Sequence, residues 1–406
     1  DYAKQRSDET FIQLIHDHGL DPQLLAYGNG VWHGVVGAEL IKDELHIYNE
    51  DILSFVNHID NVLKENTVYD GISQLIKLAY EDFLKMMSKI DLILLTTKSK
   101  DLAEYVFYCG LLERLYLSHL KNADILDTIN AYGIRISPMA INQKNQLKDL
   151  YINQIENLYE EYKNPTSEIN KVRTELAEKI LFRGNNDSTG IYRLNLPTGA
   201  GKTKLSMRYA FHQMKNGKNR FIYITPFLSV LEQNAFEIKK IIKGENRIDE
   251  DDSLFGIIEH HSNMVYETET DDDDKKVLYR SYLQDTWDSN VVNSTMVQFF
   301  QTIFKVQSSC VRRFANLSKS VIILDEVQSL PVSVTSLFNL ALNFLKFVMD
   351  TTVILCTATQ PDFSNISKDI SLENVKGELI HAVEGNFAQL KRVEIKNCCA
   401  MKPYTI

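Results

Sequence analysis

Leu194-Asn195-Leu196-Pro197-Thr198-Gly199-Ala200-Gly201-Lys202-Thr203 decides the class of this chain. The stretch follows a strand-forming run at 191–196 and precedes a helical run at 204–214, so it reads as strand, glycine-rich turn, helix. Glycines let the backbone curl until its N–H groups face an anion at the start of a helix. A lysine there supplies charge to the β- and γ-phosphates, and the following hydroxyl ligates Mg²⁺. Pro197, Thr198, Gly199, Ala200, Gly201, Lys202 and Thr203 are therefore candidate ATP- and Mg²⁺-binding residues.

About 120 residues further on, Val321-Ile322-Ile323-Leu324 delivers Asp325 and Glu326 at the end of an apolar run. A buried parallel strand reads this way, and ligands bind where such strands end. Asp325 is expected to hold Mg²⁺, and Glu326 to orient and deprotonate an attacking water. Lys202, Asp325 and Glu326 form the expected catalytic set. A third apolar run, Val353-Ile354-Leu355-Cys356, ends in Thr357-Ala358-Thr359, and Gln328 follows the carboxylate pair. Gln328, Thr357 and Thr359 are candidates for coupling the nucleotide site to a nucleic-acid track. Between these motifs, Thr225 and Pro226 end one strand, and Ser294, Thr295 and Gln298 follow another. Their hydroxyl, amide and backbone groups are candidate contacts to DNA phosphates.

Short β-rich runs at 191–196, 220–225, 290–293, 321–324 and 352–356 alternate with helical ones, which implies a parallel sheet covered on both faces. Residues 1–165 instead read as helical, with apolar residues at helical spacing in 51–62, 72–87 and 101–120. A further amphipathic stretch at 170–182 is expected to end in the turn-forming cluster 184–190. A domain boundary is expected near Pro165. The acidic runs 249–252 and 271–274 read as solvated loops.

The chain has 406 residues and a net charge of −10, with 44% hydrophobic and 24% charged residues. That length favours more than one core. The charge argues against a polybasic surface holding nucleic acid by bulk electrostatics. No run approaches the roughly 18 apolar residues of a membrane span, and five cysteines without CxxC spacing fit a reducing compartment, so a cytoplasmic location without membrane contact is expected. The N-terminus lacks the order of a secretory signal, and its start at Asp1 points to an upstream segment.

Taken together, LPTGAGKT, TPFLSVLEQ, EHHSN at 259–263, NSTMVQFFQTIF, DEVQSLP and CTATQP resemble the CRISPR-associated helicase-nuclease family of type I interference. Leu196, in place of the first glycine of the general phosphate-binding pattern, matches the form used by superfamily 2 helicases. LLERLYLSHLKNADILDT at 111–128 is similar to the helix that closes that family's HD-type nuclease domain. Residues 1–60, with DYAK, WHGVVGAEL and VNHI, look more like the HD-superfamily dinucleoside-polyphosphate hydrolases of bacteria.

The resemblance implies an α/β chain: an all-α HD-type domain over 1–165, incomplete at its N-terminus, and one RecA-like parallel-sheet helicase lobe over 166–406. It implies a metal site of Asp1, His33, His58 and Asp124 suited to Mn, Fe or Ni. A competing register uses His16-Asp17, but Gly19 soon interrupts the helix that would present that pair. It further implies single-stranded DNA and an RNA-guided CRISPR surveillance complex as partners, with a second helicase lobe supplied from elsewhere. Two alternatives stay open: an HD-type nucleotide phosphohydrolase with a regulatory ATP-binding P-loop domain, and an N-terminal piece that serves only for docking.

Overall fold

A computed structural model describes residues 72–131, 136, 138–165, 167–197, 199–261, 271–357 and 377–380. Four helices come first: α1 (Ile72–Thr97), α2 (Leu102–Ala131), α3 (Ile141–Glu161) and α4 (Glu168–Asn186). There follow β1 (Ile191–Asn195), α5 (Lys202–Lys215), β2 (Arg220–Thr225), α6 (Leu228–Lys243), β3 (Ile257–His260), α7 (Asp271–Thr286) and β4 (Val291–Thr295). The described elements end with α8 (Met296–Phe304), α9 (Ser308–Phe314), β5 (Ser320–Asp325), α10 (Val332–Phe347) and β6 (Thr352–Thr357).

The six strands form one sheet of order β1-β6-β5-β2-β4-β3, and every pairing is parallel. Side chains alternate across such a sheet, and here both faces are apolar. Ile222, Ile224, Ile322, Leu324, Val353 and Leu355 point to one core, shared with α1, α2 and α7–α10. Phe221, Tyr223, Val321, Ile323, Ile354 and Cys356 point to the other, shared with α3–α6. The result is a mixed α/β, RecA-like three-layer lobe in which helices cover a wholly parallel sheet.

The helices on either side of Pro165 therefore share cores with one sheet. α2 docks through Arg114, whose Nε donates to Thr302 O at 2.9 Å and Nη2 to Lys305 O at 2.6 Å, at the C-terminal end of α8. Ser118 Oγ donates to Arg312 O at 3.0 Å and accepts from the Ala315 N–H at 2.9 Å. On the opposite face, Arg208 of α5 pairs with Glu156 of α3 through Nε at 2.8 Å and Nη2 at 2.5 Å, and lies 4.2 Å from the Tyr159 ring centroid.

Several expectations are corrected. Helix α4 ends inside the cluster 184–190, as expected, but runs on through Gly184 to Asn186 first. Gly184 instead lets α5 approach, since a Cβ there would meet His212 Cβ and Tyr209 O at 3.1 Å. The acidic run 271–274 is the first turn of α7, where the helix dipole favours negative charge over a loop. Asp251 and Asp252 are held in ion pairs with Arg280 at 2.8 Å, Lys239 at 2.8 Å and Lys243 at 2.6 Å, so they do not form a solvated loop. Strand β3 was not anticipated. Residues 377–380 run beside β1, with Arg193 N donating to Gly377 O at 2.7 Å and Leu379 N to Arg193 O at 2.9 Å, which covers that sheet edge.

Burial alone would raise the Glu156 carboxyl, but hydrogen bonds and charge from Arg208 and His212 hold it down at about 2. Its stabilising effect is therefore complete above the ordinary carboxylate range and lost as pH falls from about 4.5 toward 2. Glu156→Gln is expected to cost about 1.5–3 kcal/mol at neutral pH, and to converge on the parent as pH drops through that window, measured by urea unfolding at stepped pH.

Candidate nucleotide site

The phosphate-binding turn, the carboxylate pair and Thr357 lie at the C-terminal edge of the sheet. β1, β6 and β5 are neighbours with Asn195 opposite Thr357 and Asp325 opposite Cys356, so three strands end in line. The chain leaves β1 through Leu196 and Pro197, turns at Gly199 and Gly201 with φ of 82° and 88°, and enters α5 at Lys202. Left-handed backbone of that kind favours glycine, and space above Gly201 is open, with nothing within 4 Å of a built Cβ. Thr198 lies outside the described residues.

Lys202 Nζ stands 3.5 Å from Glu326 Oε1. The ammonium is buried yet has no hydrogen-bond partner, as expected for a group shaped to meet an anion. Asp325 accepts from the Tyr223 hydroxyl at Oδ2 and from the Glu326 N–H at Oδ1, each at 3.0 Å. Burial raises the Asp325 carboxyl, with Glu326 adding to it, while Tyr223, Lys202 and the Glu326 N–H oppose the rise. Thr203 Oγ1 donates to Asn234 Oδ1 of α6 at 3.3 Å. The hydroxyl of Thr203 and the carboxylate of Asp325 are hard oxygen donors of the kind that Mg²⁺ takes alongside phosphate, so the residues present fit a Mg²⁺–triphosphate.

Glu326 itself sits in left-handed backbone at φ 50°, uncommon for a residue with a side chain. That turn swings its carboxylate out of the line of β5 toward Lys202. Gln328 Nε2 donates to Glu326 Oε2, and Thr357 Oγ1 donates to Gln328 Oε1 at 2.5 Å. A single polar chain thus connects the end of β6 to the carboxylate beside Lys202. Thr359 lies outside the described residues.

The residues proposed for nucleic acid cluster farther along the same edge, where Thr225 and Thr295 are register partners. The Thr225 hydroxyl donates to Phe227 O at 3.3 Å, and the buried Ser294 hydroxyl to His260 O at 2.7 Å. Thr295 caps α8 by accepting the Gln298 N–H, and Gln298 Oε1 accepts from Arg313 Nη1 at 2.9 Å. These side chains shape the strand exits. Pro226 is partly exposed between them.

At the end of β3, His260 Nδ1 accepts the Trp287 indole N–H at 3.0 Å. Burial, aided by the positive charge of Arg313 and His261, pushes the His260 imidazole down to about 3.

Three contributors were hidden from the sequence. Tyr223 sits inside an apolar strand and reads as core, while Asn234 reads as one polar position on an amphipathic helix. Arg173, whose Nη2 donates to Gly199 O at 2.7 Å, comes from α4, ahead of the motif it braces. Of the implied metal set, Asp1, His33 and His58 lie outside the described residues, and Asp124 is exposed on α2. Among the described residues no group of three potential ligands converges, and no helix is long and apolar enough to cross a membrane.

Residues 170–366 match the model of the DEAD/DEAH box helicase family. The chain is 27% identical over 208 residues to the CRISPR-associated nuclease/helicase Cas3 of Haloferax volcanii, covering 48% of this chain and 22% of that protein. It is 28% identical over 98 residues to the symmetrical bis(5'-nucleosyl)-tetraphosphatase of Bacillus subtilis, covering 20% of this chain and 53% of that protein. Residues 170–366 thus resemble the DEAD/DEAH box helicases, and the chain resembles the CRISPR-associated helicase-nucleases. It spans less than a quarter of the first relative and about half of the second.

The buried His260 imidazole is expected to stay neutral, accepting at Nδ1, through pH 5, and a ¹⁵N-detected titration of its ring nitrogens measures this. Protonation at an ordinary histidine pKa would show that the Trp287 contact does not hold the ring in an apolar setting.

Proposed function

We propose that this chain is the first ATP-hydrolysing lobe of a helicase that moves along single-stranded DNA, joined to a metal-dependent nuclease domain and acting in CRISPR defence. The observation that carries the motor half is the placement of Lys202, just after β1, opposite Glu326, just after β5, across the end of the intervening strand β6. Residues 166–406 are taken as the motor lobe and 1–165 as the HD-type domain. The likeness to the CRISPR-associated nuclease/helicase of Haloferax volcanii supports the nuclease and CRISPR elements.

In this reading Pro197, Thr198, Gly199, Ala200, Gly201 and Lys202 cradle the triphosphate. Mg²⁺, when bound by Thr203 and Asp325, supplies charge neutralisation of the phosphate oxygens. Lys202 draws negative charge off the bridging and terminal phosphates, and Glu326 accepts a proton from the attacking water. Gln328 keeps Glu326 directed at that water, and through Thr357 reports its position to β6. Thr225, Pro226, Ser294, Thr295 and Gln298 lie at the strand exits that would face the DNA backbone, where Pro226 and the loop N–H groups remain available, and Thr359 is assigned with Gln328 and Thr357 to coupling. Fast turnover also requires groups that close over the nucleotide, and we assign these to a second RecA-like lobe. A cytoplasmic location follows from an RNA-guided complex as partner.

The match to the Bacillus tetraphosphatase favours a second reading for residues 1–165, in which Asp1, His33, His58 and Asp124 hold Mn, Fe or Ni to cleave a dinucleoside polyphosphate. The P-loop domain is then a regulatory ATP sensor.

Two substitutions separate the motor roles. Lys202→Ala is expected to lower ATP affinity by ten-fold or more with the fold intact. Glu326→Gln is expected to keep ATP bound while slowing hydrolysis by on the order of a hundred-fold, since positioning survives and the base does not. Equal loss of binding in both, by equilibrium titration with a fluorescent nucleotide, contradicts the assignment. For the N-terminal domain, Mn²⁺-dependent cleavage of single-stranded DNA that His33→Ala abolishes supports the nuclease. Hydrolysis of diadenosine tetraphosphate with DNA untouched selects the second reading.

A further inference from the structure

We infer that Tyr223 is a positioning residue for the Mg²⁺-binding carboxylate, holding Asp325 in the one orientation in which it can share a cation with Thr203. The inference rests on the nucleotide-site reading above and adds to it a residue from a strand that carries none of the phosphate-binding motifs.

Tyr223 lies on β2, the central neighbour of β5, and pairs with Ile323. Alternation places it on the face of Ile323 and Asp325, so its long ring reaches diagonally to a carboxylate two residues beyond its register partner. The side chain is 2% exposed, and its ring packs edge-on against Phe221 with centroids 5.9 Å apart. Within this apolar setting the hydroxyl donates to Asp325 Oδ2 at 3.0 Å and lies beside the Thr203 hydroxyl. Asp325 Oδ1 is tied separately to the Glu326 N–H. Both carboxylate oxygens are thus held from the protein side, one by β2 and one by the turn after β5, which fixes the plane of the group.

A phenylalanine, like Phe221 on the same face of β2, would fill nearly the same volume without burying a hydroxyl. Burying that oxygen is costly unless it is hydrogen-bonded, and its bond goes to one of the two side chains expected to meet the cation. Groups that orient a metal ligand in this way govern metal affinity by about 10–100-fold. A residue serving only the fold would alter melting and leave the cation dependence alone.

The test uses the full chain and N-methylanthraniloyl-ADP, titrated in EDTA and then across MgCl₂, for the parent, Tyr223→Phe, Asp325→Asn and the double variant. Tyr223→Phe is expected to bind within about two-fold of the parent in EDTA, and to need on the order of ten-fold more Mg²⁺ for half-maximal tightening. In the Asp325→Asn background it is expected to add no further shift. Replacement of Tyr223 by 4-aminophenylalanine, which keeps the ring and a donor in place, is expected to restore the parent curve, and keeps the test open if the phenylalanine variant does not fold. An unchanged Mg²⁺ curve in Tyr223→Phe, or an equal extra shift on top of Asp325→Asn, overturns the positioning role while the nucleotide reading stands. A parent chain that binds no nucleotide at any Mg²⁺ concentration overturns both.

Discussion

Where β5 stops determines what the crevice can do. Its last residue, Asp325, is still buried and in register with Cys356, whereas Glu326 has already turned into left-handed backbone. One step of chain therefore separates a carboxylate embedded among strands from one directed at Lys202. Moving the end of the strand by a single residue would send each side chain to the opposite face of the sheet. The apolar run Val321–Leu324, buried on both sides, makes such a slip costly, because every side chain in it would have to change cores.

The same sheet binds the helical segment to the lobe. Helices α1 and α2 contribute to one core and α3 and α4 to the other. The contacts that fasten them are chiefly cationic side chains on carbonyls and carboxylates: Arg114 at the end of α8, Arg208 on Glu156, and Arg173 on the loop at Gly199. All are charge-assisted, and those of Arg114 and Arg208 lie in a partly dry setting, where they gain strength and geometric definition. The phosphate-binding turn is thus braced from a helix that precedes it in sequence.

Much of this was readable from residues alone because central parallel strands are buried on both sides and so appear as unbroken apolar runs. The runs ending at Leu324 and Cys356 stood out for that reason, whereas β1, interrupted by Arg193 and Asn195, was marked by the glycines after it, and the carboxylates after Leu324 marked the edge where a ligand sits. Strand β3 escaped because it is only four residues long, lies at the sheet margin, and ends in Glu259-His260. The acidic runs were misjudged for a different reason: repulsion between neighbours is visible in a string of letters, whereas Lys239, Lys243 and Arg280 are brought to Asp251 and Asp252 only by folding. Tyr223 was unreadable in principle, since nothing in an apolar strand says which ring carries its oxygen to a partner on the neighbouring strand, about a hundred residues on in sequence.

Helix α8 begins at the strand exit where Thr295 caps it and ends against the guanidinium of Arg114. Nine residues of helix span about 13 Å, so this element is a short rigid strut between the rim of the sheet and α2. A push at the rim that shifts α8 along its axis must either carry α2 with it or break two bonds to a buried cation. The helical segment and the rim are in this sense mechanically geared, and a load applied at one is felt at the other without any side chain bridging the distance.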